Sequence, residues 1–506
     1  MNRRTFLLGT MSGLTVLAVS GCTPHEPQPS PSATKTTAPP APTPGEVPQP
    51  SAFRRTAWST DPMAYGAASF QTVGSSPADR QALRAPVGGR LFFAGEHTDS
   101  DNPGTVQGAR ASGLRAAAQV VSAASRDDRI AIVGAGVAGA TAARELADAG
   151  YNVVVVEGSD RSGGRIRTDD SDDWPFPVEL GAAWLAGSSS IALGRDLTLL
   201  GVDTANFNAS TQQRTLNGDI VPPSPVAPKA VIDALAWAAK QSTDLPLEQA
   251  LNESGAGKLS TEKNAVGVSD ADRLATFVTT DVVAATGATA AQLSSWYAPD
   301  PTLTHEGDRW VTGGFQKLVQ SALDGIDVLP SSVVSGVTAT DRGISLRLSR
   351  GESLSADRVI LTVPLGVLQS GAIEFNPPLP FAHRAAIGQL GMGLQEKLVL
   401  RFDDPFWTTD ATVWTVFDDP TYPLWFNLEP ATGEPILVAL VGGDRAKAQA
   451  EGSDGDALAA ALASLAPFVD PAASVKQGDQ AKGGASQPPA GSTPSAPARA
   501  PSGAPG

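Results

Sequence analysis

Three glycines in the spacing Gly-X-Gly-X-X-Gly are suited to hold the phosphates of a dinucleotide. Gly134 allows a tight turn, Gly136 lets the backbone approach a pyrophosphate, and Gly139 lets a helix pack closely against a strand. The N-terminus of that helix offers free N–H groups and a partial positive charge to the phosphates. Glu157 follows about twenty residues later and can accept hydrogen bonds from ribose hydroxyl groups. These four residues therefore predict a dinucleotide site.

The elements that position the glycine turn follow from the hydrophobic pattern around it. Residues 130–133 are a short apolar run, residues 140–149 an alanine-rich helical stretch, and residues 151–156 a second apolar run that ends at Glu157. A glycine triplet alone would also fit an ordinary βαβ turn, whereas this strand, turn, helix, strand and acid fit a dinucleotide-binding unit. The sequence therefore predicts an α/β domain around this site.

A second glycine pair bears on which dinucleotide is bound. Gly163 and Gly164 again permit backbone approach to phosphate, and Arg165 supplies countercharge. At this place the motif resembles the second fingerprint of the flavin-containing amine oxidase family, which implies FAD as the cofactor. The resemblance also implies that the segment with Ala183 and Trp184 passes close to the flavin, although Trp184 alone would equally suit a core aromatic position.

Residues 53–125 resemble the segment that closes the chain in this family. Residues 91–94 predict a buried strand, and Glu96 follows its C-terminal end, where ligands bind in open α/β sheets. The resemblance implies that Glu96 contacts the ribityl–phosphate region of FAD. It also implies that the backbone of Thr105 and Val106 meets the isoalloxazine ring.

The position of this segment predicts a circularly permuted order, because in the family the strand–glycine–helix unit comes first. The family's two termini would then be joined at residues 125–128 and must lie close in space. The new break would fall between Asp470 and Phe53. We therefore predict that these two residues are neighbours in the fold.

The resemblance implies an α/β fold class: a Rossmann-like FAD-binding domain of the glutathione-reductase type, with an α+β substrate domain built on a mixed sheet. Val334 falls where the family makes a backbone contact to adenine. The predicted segments are a signal peptide (1–22), a tether (23–52), parts of the FAD domain (53–125, 126–215 and 311–365), parts of the substrate domain (216–310, expected to be helical, and 366–471) and a tail (472–506).

Lys397 is the candidate catalytic residue. It lies in an alternating stretch, residues 395–402, that predicts a strand, and from alternation alone it would be a solvated lysine whose stem covers apolar surface. The resemblance implies an active-site lysine beside flavin N5, where a desolvated ammonium assists oxygen reduction. The implied reaction removes hydride from the α-carbon of a neutral amine, hydrolyses the imine, and yields H₂O₂ when O₂ reoxidises the flavin.

Some positions depart from the family pattern. Ala68 and Thr105 stand where aromatic rings often frame the substrate nitrogen, and Ser159 replaces an arginine near the adenine. Ala67 stands where some relatives carry a flavin-linking cysteine, so FAD is expected to be noncovalent. Four aromatic residues are candidates for a substitute wall: Tyr65, Phe70, Trp184 and Trp425.

Two other functions stay open at this point. One is another FAD enzyme of the superfamily. An amino-acid oxidase would need an arginine in the pocket for the substrate carboxylate. A porphyrinogen- or carotenoid-type dehydrogenase is the other possibility of this kind, and Lys397 argues against it. The other is a surface FAD-binding protein without amine oxidase activity, which the missing aromatic frame would favour.

The N-terminus predicts export and lipid anchoring. Arg3 and Arg4 precede an apolar stretch, residues 7–19, and a Val-Ser-Gly-Cys sequence ends at Cys22. These features resemble a twin-arginine signal and a bacterial lipoprotein box, which implies lipidation of Cys22 at the outer face of the bacterial cell membrane. An uncleaved membrane anchor is the alternative, but it needs about 20 apolar residues.

Composition limits the remaining possibilities. The net charge of −15 argues against nucleic-acid binding. Cys22 is the only cysteine, so the chain forms no internal disulfide and has no cysteine for a metal site, and we expect no metal. Residues 23–52 and 472–506 are rich in Pro, Ser, Thr and Ala and are expected to be disordered. The expected partners are a small amine and O₂, and the oligomeric state is left open.

Overall fold

A five-stranded parallel sheet carries the glycine turn. The computed structural model describes residues 46–186, 190–298 and 307–470; the signal segment, Cys22, the tether to residue 45 and the tail from residue 471 lie outside them. In spatial order the strands are β12 (Asp327–Leu329), β5 (Asn152–Val156), β4 (Arg129–Val133), β16 (Arg358–Leu361) and β3 (Leu91–Phe93). All neighbouring pairs are parallel.

Both faces of this sheet are covered, which explains why its strands are continuous apolar runs. One face packs against three helices, α2 (Val106–Ala123), α3 (Val137–Asp148) and α9 (Gln316–Leu323). The other face packs against a four-stranded sheet. In spatial order its strands are β15 (Ser353–Ala356), β14 (Gly343–Leu348), β13 (Val334–Thr340) and β17 (Glu374–Asn376).

The elements predicted around the glycine turn are confirmed. Strands β4 and β5 pair in parallel through helix α3. The helix begins at Val137, earlier than the alanine-rich stretch suggested, because Gly136 is already its N-cap residue. Strand β3 likewise lies within the apolar run of residues 91–94 that predicted it.

A mixed six-stranded sheet is the second large sheet of the fold. In spatial order its strands are β1 (Ala52–Arg55), β19 (Gln395–Arg401), β22 (Ile436–Gly442), β21 (Leu424–Asn427), β20 (Val413–Phe417) and β10 (Thr211–Thr215). Only β10 and β20 pair in parallel among these strands; the other pairs are antiparallel. Helices α13 (Gly443–Glu451) and α14 (Asp454–Leu465) cover one face.

The other face of the six-stranded sheet packs toward a small three-stranded sheet. This small sheet consists of β8 (Trp184–Leu185), β11 (Arg309–Val311) and β9 (Thr204–Asn206). Because side chains alternate along β19, Lys397 faces this layer with Val399, whereas Leu398 faces helix α14. The strand therefore directs Lys397 inward.

The remaining elements complete the layers. Helices in the region expected to be helical, together with a π-helical turn (Val278–Val283), form a separate apolar cluster. These helices are α5 (Val226–Ala238), α6 (Leu247–Glu253) and α7 (Asp270–Phe277). Helix α8 (Ala284–Thr286) follows the π-helical turn, and its Ala284 packs in the cluster between the six-stranded and three-stranded sheets. The other helices are α1 (Pro77–Leu83), α4 (Ile191–Leu199), α10 (Leu365–Gln369), α11 (Phe381–Gln389) and α12 (Glu429–Thr432). Two-stranded pairs join β2 (Ala68–Phe70) to β18 (Gly391–Gly393) and β6 (Thr168–Asp169) to β7 (Val178–Glu179).

None of the helices in the described ranges has the length and apolar character to cross a membrane.

The two ends of the described region meet one apolar core. Phe53 and Val469 both pack against the cluster between the six-stranded sheet and helix α14. Val47 is buried in the same cluster, so the folded body begins before the boundary predicted at residue 53. Asp470 donates its backbone N–H to the carbonyl of Phe406, another member of that cluster. Both predicted break points are therefore tied to this one cluster.

The fully buried carboxylate of Glu396 ties the N-terminal segment to strand β19. It accepts the Thr56 hydroxyl at 2.5 Å, the Trp58 N–H at 3.0 Å, and both the N–H and the hydroxyl of Ser59 at 2.7 Å. Thr56 and Trp58 are buried, so their donor groups depend on this acceptor for a hydrogen bond.

We predict that Glu396→Ala lowers the free energy of unfolding by about 3 kcal/mol, because buried donors lose their acceptor. Chemical denaturation of the purified protein measures this. Glu451→Ala, at an exposed glutamate of helix α13, is the matched control and is expected to change stability by less than about 0.5 kcal/mol. Equal effects of the two substitutions would contradict the role given to Glu396.

Candidate active site

The glycine turn has the geometry that its spacing predicts. Gly134 has a φ of 108°, a value that favours glycine, and an ideal Cβ at Gly139 would lie 1.9 Å from the carbonyl oxygen of Gly134. At Gly136 the nearest atom to an ideal Cβ is 3.8 Å away, so close packing does not demand glycine there. Gly136 instead leaves the N-terminus of helix α3 open to the adjoining cavity.

Glu157 braces this turn from the end of strand β5. One carboxylate oxygen accepts the Ala135 N–H at 2.6 Å and the other accepts the Ser159 N–H at 2.8 Å. Burial raises the pKa of Glu157, and the backbone donors at Ala135 and Ser159 oppose that shift. The residue lines the same cavity as the glycine turn, where a ribose would meet its carboxylate.

Arg165 joins the glycine segment in the middle of the chain to the turn near its beginning. Its Nη1 donates to Glu96 Oε1 and to the Ala67 carbonyl, both at 2.8 Å. The preceding Gly163 adopts a φ of 116° and donates its N–H to Ala135 in the glycine turn. The two predicted cofactor segments therefore lie side by side.

Glu96 is anionic despite its burial. Its carboxylate accepts the Ser69 hydroxyl at 2.6 Å and the Gly104 N–H at 2.7 Å, in addition to Arg165. Burial alone would raise the pKa of Glu96, but the charges of Arg165 and Arg80 and the Ser69 hydroxyl hold it at about 2. The carboxylate thereby fixes the turn that leads to Thr105 and Val106.

Two adjoining cavities contain the predicted site. The adenine-end cavity, of about 150 Å³, is lined by Gly134, Gly136, Glu157, Gly164 and Val334, among others. The flavin-end cavity, of about 300 Å³, is lined by Glu96, Thr105, Val106, Ala183, Trp184 and Lys397, among others. Both are lined by Trp58 and Arg165, so one elongated ligand would pass these two residues. Gly139 lines neither cavity, which fits its role in packing the helix against the turn.

These cavities suit FAD. The adenine-end cavity has a helix N-terminus for phosphate, an acid for ribose and buried Val334 for the adenine. The flavin-end cavity begins at the N-terminus of helix α2, where Thr105 is the N-cap residue and its side chain accepts the Gly108 N–H at 3.1 Å. The backbone of Thr105 and Val106 thus stands at a second positive helix end.

Lys397 is buried at the flavin end, which excludes the solvated-lysine alternative. Its side chain donates from Nζ to the Gly181 carbonyl at 2.5 Å and to the Glu179 carbonyl at 3.4 Å, and the residue is only 9% exposed. Nζ also lies 5.4 Å from the centroid of the Trp310 ring. Burial lowers the pKa of Lys397 to about 8, and the charge of Glu179 limits the decrease.

An aromatic wall stands beside the cavity, but only one predicted member belongs to it. Trp184 packs edge-on against Phe207, Trp310 and Phe426, with ring centroids 4.4 to 5.1 Å apart. Trp184 thus lines the cavity and is also a packed core aromatic. Ala68 and Thr105 both line the cavity where the aromatic frame is missing.

The other three aromatic candidates lie elsewhere. Trp425 faces the helix-covered side of the six-stranded sheet and donates to Ser464, since its neighbour Phe426 occupies the inward face. Phe70 packs in the helical cluster, and Tyr65 is partly exposed. The prediction of a wall from these three residues is therefore wrong.

Several residues of the site were not indicated by the sequence. Trp58 borders both cavities, and Glu179 lies fully buried behind Lys397. Trp310 follows a short Asp-Arg sequence in which no periodic pattern predicts a strand. Its aromatic neighbour Trp184 comes from a strand that is distant in the sequence. The one available signal for Glu179 was its place just before the segment with Ala183 and Trp184, which resembles a segment near the flavin.

A model of the family described as flavin containing amine oxidoreductase matches residues 41–121 and 137–484, which is most of the chain. Polyamine oxidase 4 of Oryza sativa subsp. japonica is 29% identical over 65% of this chain and 70% of its own length. Polyamine oxidase 2 of Arabidopsis thaliana is 27% identical over 64% of this chain and 69% of its own length.

The solved structure of a wild-type putrescine oxidase bound to putrescine has a similar fold. It is 23% identical, with a TM-score of 0.54, and the match covers 69% of this chain and 83% of that one. The glycine turn, the buried Glu96–Arg165 pair and the extent of the family match lead to one conclusion. The chain belongs to the flavin-containing amine oxidoreductase family and is an FAD-dependent oxidoreductase.

Proposed function

We propose that this protein is an amine oxidase that acts on small amines with O₂ as the electron acceptor. The observation that carries the proposal is the buried ammonium of Lys397, which lies in one cavity with Glu96, Thr105 and Val106. The names of the polyamine oxidase relatives and of the putrescine oxidase structure support an amine as the substrate.

Bound FAD would supply the redox chemistry, in which the amine would lose a hydride from its α-carbon and a proton from its nitrogen, and O₂ would take up the two electrons and two protons to give H₂O₂. The imine takes up water and releases the carbonyl product with ammonia or a smaller amine. The chain binds and orients both partners, and its apolar wall at Trp184 excludes water from the reacting end.

Lys397 provides the positive charge for the reaction with O₂. Two backbone carbonyls hold its ammonium, so its position is fixed before negative charge develops on oxygen. With a pKa of about 8, the side chain is mostly protonated at neutral pH and loses its charge as the pH rises further. Lys397 is thus poised to stabilise a transient anion.

The flavin-end cavity favours an amine over an amino acid. Among its described lining residues, Arg165 is the only arginine, and its guanidinium is already paired with Glu96. A substrate carboxylate would therefore compete with a buried ion pair. The buried Lys397 also argues against a dehydrogenase of the superfamily and against a protein that merely stores FAD.

We also propose a permuted family order and a noncovalent flavin. Strand β3, from the first hundred residues, pairs with β16 at the edge of the parallel sheet, and both ends of the described region contact one core cluster. Ala67 lines the flavin-end cavity and offers no thiol for a covalent link. Release of FAD on denaturation of the protein tests the noncovalent link, and a covalently retained flavin would contradict it.

Peroxide release across a panel of monoamines, diamines, polyamines and amino acids tests the proposed activity. We expect release of H₂O₂, with equimolar carbonyl product, from at least one amine class and not from amino acids, because the cavity has no free guanidinium among its described lining residues. FAD-loaded protein that reduces its flavin with none of the amines would refute the proposal.

We predict that Lys397→Met lowers turnover about 100-fold or more while FAD stays bound, since one preorganised charge contributes about two to three orders of magnitude. Peroxide release and flavin absorbance report turnover and FAD content separately. Lys447→Met, at an exposed lysine of helix α13, is the matched control and should retain full turnover. Unchanged turnover in Lys397→Met would remove the role of this lysine.

We further propose that the protein is exported and anchored through a lipid on Cys22, on the basis of the paired arginines and the Val-Ser-Gly-Cys sequence. Cys22→Ser is expected to move the enzyme from the membrane fraction to the soluble fraction. Cell fractionation with labelled fatty acid measures this. Equal membrane retention and no label in the wild-type protein would contradict a lipid anchor.

A further inference from the structure

One short backbone segment holds the Lys397 ammonium. Nζ donates to the carbonyl oxygens of Gly181 and Glu179. Gly181 tolerates no side chain, because an ideal Cβ there would lie 1.9 Å from the carbonyl oxygen of Arg165. The position of the ammonium therefore depends on how firmly residues 179–181 are fixed.

The Glu179 carboxylate fixes the start of this segment from outside the cavity. It is fully buried and accepts the Phe315 N–H at 2.6 Å and the Thr168 hydroxyl at 2.9 Å. Phe315 is the N-cap residue of helix α9, an end that favours negative charge. Strand β6, strand β7 and helix α9 thus meet at the Glu179 carboxylate. Both groups that donate to it, the Phe315 N–H and the Thr168 hydroxyl, are neutral.

We infer that Glu179 is a positioning residue for Lys397: it sets the place of the ammonium in the flavin-end cavity and stabilises its charge. Glu179 does not line that cavity, so it acts through Lys397 and does not touch substrate or FAD. This inference rests on the proposed role of Lys397 in the reaction with O₂.

Other charged groups near the pair have their own partners. In the described structure, three groups of paired residues lie around Lys397 and Glu179. They are Glu96 with Arg165 in the cavity, Arg54 with Asp169 across β1 and β6, and Glu396 with Thr56 and Ser59 on the opposite face of β19. Glu179 is the acid whose charge opposes the loss of the proton from Lys397. Removal of that charge therefore makes the proton easier to lose.

The test follows reoxidation of chemically reduced holoenzyme by O₂ as a function of pH, which requires no amine. In the wild type the rate constant is expected to fall as the pH rises through the pKa of Lys397, about 8. In Glu179→Gln the fall is expected at a pH lower by about one unit, because the opposite charge is gone. Glu179→Asp keeps the charge and should keep the fall near pH 8, with a lower rate constant.

Glu396→Gln is the matched control, since it alters another fully buried glutamate next to Lys397. It is expected to lower stability and leave the pH of the fall unchanged. A fall near pH 8 in Glu179→Gln would overturn the inference while leaving the proposed function intact. Reoxidation of Lys397→Met at the wild-type rate would overturn the role of Lys397 and the inference with it.

A second measurement does not depend on catalysis. Burial raises the pKa of Glu179 from 4.5 to about 7, so the folded chain binds this proton more tightly than the unfolded chain. The contribution of this carboxyl to stability is full below pH 4.5 and is lost as the pH rises through about 7. Across this window the Tm of the wild type should fall relative to that of Glu179→Gln. Parallel curves would show that burial does not raise the pKa of the Glu179 carboxyl, and the pH profile of reoxidation would then decide the inference by itself.

Discussion

The buried ion pair between Glu96 and Arg165 is the contact on which the rest of the site depends. Glu96 follows strand β3 and Arg165 follows the second glycine pair, so their contact brings two distant segments to one cavity wall. The Glu96 carboxylate also receives donors from Ser69 and Gly104, and its charge is therefore compensated inside the protein. Loss of either partner would leave a buried charge, which costs several kcal/mol.

The second feature of the site is a lysine held in a poorly solvated place by neutral groups. Carbonyl oxygens at residues 179 and 181 accept its protons, and the ring of Trp310 lies on one side. Such an arrangement keeps the ammonium in place without a direct salt bridge. A direct salt bridge would raise the pKa of the lysine and hold its proton too tightly. The buried carboxylate of Glu179 supplies a weaker, more distant counterbalance.

Local features of the chain were predictable and long-range ones were not. The glycine turn, strands β4 and β5, and the strand that carries Lys397 follow from spacing and periodicity within short windows. The partner of Glu179, Phe315, lies 136 residues further on, and no local pattern links the two. The face on which Trp425 lies could not be predicted, because all four residues of strand β21 are buried and alternation of polarity does not distinguish its two sides.

The position of bound FAD in a crystal structure of the holoenzyme tests most directly whether the segments of Glu96 and Arg165 converge on one dinucleotide. We predict one FAD per chain that spans both cavities, with the adenine against Val334 and the isoalloxazine ring between the N-terminus of helix α2 and Lys397. An FAD confined to the adenine-end cavity, or a flavin ring directed away from Lys397, would contradict this arrangement.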